Sequence, residues 1–254
     1  MGDIATALDI RIVALILVVA MLAAWSIGKR LGDRLLHKGG TKPSKFDDAS
    51  VALLGLLLAF SFGMSIAKHD QRRLAVVADS NAIGDFYTCA SLLKEPSRTN
   101  LQAVIRQYIQ LRVDLARGAF RSSDLENALV KFNLLHARMT EIVARALSDG
   151  TPIAVSLTNT LNEVTSNQAS RLAAYRDRLP ASILFLLFAC SILTVLLIGR
   201  EQGAANNSEI VGTLCFIFLV SLAVYVTLDL NMPESGWIRV SQEPIERLLS
   251  SMSK

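Results

Sequence analysis

Residues 12–28, 49–67, 181–199 and 210–228 contain no Asp, Glu, Lys or Arg, although 19% of the 254-residue chain is charged. An uncharged apolar run of that length, wound as a helix rising about 1.5 Å per residue, crosses roughly 30 Å of hydrocarbon. Inside a bilayer every backbone polar group must be satisfied within the segment, so such runs fold as spanning helices. The feature therefore predicts an all-α integral membrane protein with four transmembrane helices. The 52% hydrophobic content, too apolar for an ordinary globular surface, agrees.

The first run follows a tail that is not basic, is longer than a signal core and lacks a clean small-x-small cleavage site, so it reads as a retained span. Trp25 and Lys29–Arg30 at its end suit an interfacial anchor. A basic connector, 29–48, holds the helix breakers Gly39, Gly40 and Pro43, and Asp47, Asp48 and Ser50 suit the start of the next helix. That helix has no Pro before Pro96, and its apolar part, 49–67, continues without a break into KHDQRRLAVVADSNAIGDFYTCASLL. It reads as one helix that leaves the membrane and continues into water, with Leu74, Val77, Asn81, Phe86 and Leu92–Leu93 as its later amphipathic stretch.

Three more helices follow. One spans about 99–120, with Leu101, Ile105, Tyr108, Leu111 and Leu115 at helical spacing. A second begins near Ser123, carries Leu125, Leu129, Phe132, Met139 and Val143, and ends at Asp149–Gly150. The third opens at Thr151–Pro152, in cap-then-Pro order, and carries Leu157, Leu161, Val164, Leu172, Tyr175 and Leu179. Together they predict a helical bundle inserted between the second and third spans. The domain plan is a first hairpin at 1–67, a bundle at 68–179, a second hairpin at 180–229, and an interfacial C-terminal tail at 230–254 whose 238–250 stretch is amphipathic.

Three groups of residues stand out. Gly55, Ala59, Gly63 and Ala67 recur every four residues and form a ridge of small side chains for close helix packing. Leu53, Leu57, Phe60 and Met64 lie on other faces of the same span, where they read either as the constriction of a pore or as lipid- and core-facing packing. Lys68, Asp70, Arg72 and Arg73 gather where the helix leaves the membrane, as an interfacial anchor or as a vestibule that attracts ions.

Several function classes are disfavoured. No span holds an interior ionisable residue of the kind pumps and voltage sensors use. There is no nucleophile elbow, phosphate-binding Gly-rich loop or supported carboxylate pair, so the chain reads as a non-enzyme without a cofactor. Cys89, Cys190 and Cys215 make no disulfide framework, and His37, His69 and His136 lie too far apart to suggest a metal site. The net charge of +4, with no basic block interleaved with aromatics, argues against nucleic acid. Orientation is divided: six basic residues in the first hairpin loop argue for that loop inside, whereas the second loop has only Arg200 against nine on the opposing side.

The stretches GLLLAFSFGMSIAKHDQRR from Gly55, SNAIGDFYTCASLL from Ser80, and DLNMPESGWIRVSQEPIERL from Asp229 resemble the signature segments of the bacterial bestrophin-like membrane family. In the last of them Asp229, Pro233, Gly236, Arg239 and Pro244 carry the resemblance. The resemblance implies a multi-pass protein of the bacterial inner membrane and, through bestrophins themselves, a homo-oligomeric anion channel with four spans per subunit, cytoplasmic ends and an apolar neck on the second helix. Lipid and small inorganic ions would then be its partners, with Leu53, Leu57, Phe60 and Met64 as the neck. No acidic run like the calcium clasp of animal bestrophins follows the fourth span. The alternative is a non-conducting interaction or sensory protein whose bundle binds a partner.

Overall fold

The computed structural model describes residues 10–36, 45–117, 122–205, 209–232 and 237–252. These form eight helices and no strand: α1 (Ile10–Leu36), α2 (Lys45–Ser91), α3 (Ser97–Arg117), α4 (Ser122–Ser148), α5 (Ala154–Arg176), α6 (Ala181–Ala204), α7 (Ile210–Asn231) and α8 (Glu243–Ser251). Four stretches are long and apolar enough to cross a membrane, in α1, α2, α6 and α7. The protein is thus an all-α membrane protein with four spans. By contact the chain divides into Met1–His69 with Arg178–Arg239, and Asp70–Asp177 with Val240–Lys254. Helix α2 contributes to both.

In the membrane unit α1 lies against α6 and α7. The α1–α6 contact is made by backbone. A methyl group on Gly28 would stand 2.1 Å from the Leu196 carbonyl oxygen, and one on Gly32 would stand 2.1 Å from that of Arg200. Reciprocally, one on Gly199 would meet the Trp25 carbonyl oxygen at 2.4 Å and one on Gly203 that of Lys29 at 2.2 Å. Lipid tails are as apolar as leucine, so association between spans depends on such close packing and on interhelical hydrogen bonds. Both are present: Trp25 Nε1 donates to Gln202 Oε1 (3.0 Å), Gln202 Nε2 to Thr213 Oγ1 (2.7 Å), and Ser65 Oγ to the Thr227 carbonyl (3.2 Å). Helix α1 runs on to Leu36, past the 12–28 stretch expected to span, and Gly28 and Gly32 are contact residues within it rather than its end.

The second unit is a bundle of α3, α4, α5, α8 and the later part of α2. Its core joins Ile83, Phe86, Leu101, Ile105, Tyr108, Phe132, Met139, Leu157, Leu161 and Val164. Helix α4 ends where its glycine predicts. Gly150 has φ +72°, its N–H bonds the Leu147 carbonyl (3.0 Å), and the Thr151 N–H bonds that of Ala146 (3.2 Å), closing a Schellman turn. That turn occupies the Thr151 N–H, and α5 begins at Ala154 with Ile153 in the capping position, three residues beyond the expected Thr151 start.

Two stripes differ from the sequence reading. On α2, Leu74 (63% exposed) and Leu92 (66%) face outward with Val77 and Asn81, while Arg72, Val76, Asp79, Ser80, Ile83, Phe86 and Ala90 are buried. The buried face is turned because it centres on Asp79, a charged residue that a hydrophobicity pattern assigns to solvent. On α8, the apolar side is taken up by the bundle: Ile245 and Met252 are buried in its core, with Leu248 and Leu249 packed against it.

Candidate functional site

The second span presents a long uncovered surface. Only 17% of its most apolar window is buried within the chain, against 33% for the α7 window. Leu54, Ser61 and Ser65 are buried, and Leu57 is half-buried against the membrane unit's core. Of the constriction candidates, Leu53, Phe60 (63%) and Met64 are exposed. Three of them therefore share the uncovered side of the helix, and Leu57 stands at its edge. The small-residue ridge is open too: Gly55, Ala59, Gly63 and Ala67 are exposed, and a methyl group on Gly55 or Gly63 would meet nothing within 4 Å.

The exit charges take different places. Lys68 is half-buried, whereas Asp70 and Arg73 are exposed. Arg72 is buried, with its Nε donating to the Ala174 carbonyl (3.1 Å) and an Nη to that of Asp177 (2.7 Å). A cation on the last carbonyls of α5 satisfies acceptors that the helix leaves open and complements its dipole.

Below Arg72 on the same face is a charge cluster that sequence reasoning missed. Asp79 is 0% exposed and accepts from Arg171 Nη1 at 2.7 Å and from Arg112 Nη2 at 3.4 Å. Arg171 also donates to Gln242 Oε1 (2.7 Å), bringing the segment before α8 into the cluster. Arg112 donates to the Tyr108 hydroxyl (2.8 Å), which in turn donates to Gln168 Oε1 (2.9 Å). The Arg112 guanidinium lies over the Phe132 and Tyr108 rings, 4.5 and 5.1 Å from their centres. Burial pushes the Tyr108 hydroxyl above the usual tyrosine range, and burial beside Arg112 lowers Arg171 from the usual arginine value. One aspartate thus holds two arginines from α3 and α5 against α2. The available signal was a single charged residue inside the otherwise uncharged LAVVADSNAIG.

The signature segment after the fourth span is described in part. Asp229 and Asn231 are buried at the end of α7, and Asn231 Oδ1 accepts the Leu179 N–H (2.7 Å). Pro233 and Gly236 lie outside the described residues. Arg239 is exposed, and the Pro244 carbonyl accepts from Ser80 Oγ (3.1 Å) beside an open groove of about 590 Å³ lined by Ser80, Asn81, Gly84, Asp85, Arg247 and Leu248.

Of the signature residues, Asp229 is thus buried in the last turn of the fourth span, and the Pro244 carbonyl is bonded to Ser80 of α2. No curated protein and no solved structure matches the chain. The family model of the bestrophin-like domain matches residues 14–245, from the first span to the start of α8. With four spans in place and nearly the whole chain matched, the protein belongs to the bestrophin-like family.

Proposed function

We propose that the chain assembles as a homo-oligomer in a bacterial inner membrane and conducts small inorganic anions along the exposed face of the second span. The observation that carries this reading is the uncovered face itself, where Leu53, Phe60 and Met64 stand free of the chain's own packing. In a ring of subunits, an apolar row of that kind forms a constriction that gates by excluding water. The open ridge of Gly55, Ala59, Gly63 and Ala67 supports assembly, since small residues let neighbouring helices approach closely in lipid. Exposed Asp70 and Arg73 would stand at the mouth. The reading calls for no catalytic residue and no cofactor.

The test is anion flux from liposomes containing the purified assembly. Flux that rises on Phe60→Ala and Leu57→Ala is expected, and absent flux, or flux indifferent to both changes, contradicts the neck. In this reading the bundle and both termini face the cytoplasm. Cysteine introduced at Ala205 should then label from outside intact cells and cysteine introduced at Leu92 should not; the reverse pattern inverts the orientation.

A second reading, a non-conducting protein whose bundle docks a partner, is favoured by one observation: α4 leaves Val130 and Leu134, one turn apart, about 60% exposed (59% and 62%). No flux, together with a partner lost on Leu134→Asp, would select it.

A further inference from the structure

The last turn of the fourth span fixes the residues that follow it. Asp229 sits where the unsatisfied carbonyls of α7 make the helix end negative, so a carboxylate there is unfavourable unless it serves another purpose. It is 3% exposed, and its two oxygens accept two backbone N–H groups, from Trp237 to Oδ1 and from Ile238 to Oδ2, both at 2.9 Å. Hydrogen bonds to a charged acceptor are roughly twice as strong as neutral ones, so this pair determines where the chain stands after the turn.

What the pair presents is apolar. Trp237 is 81% exposed and Ile238 is 41% exposed. Pinning an indole and a sec-butyl group outward in water would forgo their burial, whereas at a bilayer surface an indole places its ring among the headgroups and its N–H toward water. Continuity with the spanning surface identifies the occupant, because α7 is a membrane span that ends at Asn231, a few residues before the pair. The stretch beyond is already committed, since Ile245 and Met252 belong to the bundle core. The α8 part of the expected interfacial tail is thereby given to the bundle, whereas Trp237 and Ile238 are left outside it.

We infer that the Asp229 carboxylate holds Trp237 and Ile238 as an interfacial wedge in the phospholipid headgroup layer where the fourth span ends. The inference does not depend on whether the protein conducts ions.

Trp25 and Trp237 are the two tryptophans of the chain, so fluorescence resolves the wedge. The full chain is reconstituted in phosphatidylcholine vesicles with brominated acyl chains, as wild type, Trp25→Phe and Trp237→Phe. Trp237 is expected to emit to the blue of aqueous indole and to lose most of its emission to bromines near the headgroup end of the chain. Bromines near the methyl end should quench it less, and aqueous iodide only weakly. Because Trp25→Phe removes the hydrogen bond to Gln202, the difference between wild type and Trp237→Phe supplies the same quantity if that variant misfolds. Asp229→Ala should shift the Trp237 emission to the red and abolish its bromine quenching while leaving that of Trp25 in place. Trp237 emission that bromine leaves intact overturns the wedge, whether iodide quenches it or a second copy of the chain shields it from both. Quenching unchanged by Asp229→Ala overturns the role of the carboxylate.

Discussion

The membrane unit and the bundle are held together by opposite means. Between α1 and α6 the contacts are backbone to backbone, with Gly28, Gly32, Gly199 and Gly203 leaving no room for a methyl group. In the bundle the contacts are side chain to side chain, with Phe86, Tyr108 and Phe132 filling the core and Asp79 gathering Arg112 and Arg171 within it. Water drives the second arrangement by expelling apolar side chains, and a buried charge is tolerated there only because its partners are buried with it. Lipid supplies no such drive, so small residues become the association surface. The difference gives meaning to the other small-residue ridge: Gly55 and Gly63 carry the same signal as Gly199 and Gly203, but a methyl group on either would meet no described residue within 4 Å.

The largest expected effect breaks the membrane contact. Gly203→Val or Gly32→Val drives a branched side chain against a carbonyl oxygen that cannot turn aside, costing about 3 kcal/mol or more. Neither variant should yield a monodisperse protein in detergent chromatography. The same substitution at Gly63 should leave the fold of the chain unchanged and act only on its assembly.

Asp79→Ala breaks the bundle instead. It leaves the buried Arg112 and the half-buried Arg171 without their carboxylate, a loss of about 3 kcal/mol. Amide exchange should rise in α3 and α5 while α1 and α6 stay protected. Uniform loss of protection through both units would contradict their separate bookkeeping.

The smallest effect concerns pH. Burial holds His136 below the usual histidine value, so the neutral form is favoured in the folded bundle. The unfolded chain then takes up its proton first, and stability falls as pH drops below about 6.5, levelling once the folded histidine is also protonated. Thermal unfolding followed across that range should lose part of its pH dependence in His136→Gln. An unchanged slope would assign it to other groups.

The four spans were legible because runs empty of charge have few alternatives, and the end of α4 was legible because Gly150 announces a left-handed residue. The buried face of α2 was not. It contains Arg72, Asp79 and Ser80, which hydropathy places in water, and only partners far along the chain, Arg112, Arg171 and Pro244, make their burial possible. The glycine contact was illegible for a related reason: a small residue shows that close approach is possible, and the chain's own Gly28 and Gly32, read as the end of a span and part of a connector, were the ones it brings together with α6. The tail helix shows the same limit, since its amphipathic pattern fits a membrane surface and a bundle groove equally well.

The open ridge of the second span is thus the proposed surface between copies of the chain. Cysteine cross-linking in native membranes tests this most directly, with Cys89, Cys190 and Cys215 replaced and a single cysteine at Gly63 or at Ser191, which is buried within the chain. Oxidation should join subunits through Gly63→Cys and leave Ser191→Cys uncross-linked. A chain that stays monomeric with cysteine at Gly63, while the protein is folded and in the membrane, would contradict the assembly and the pore built on it.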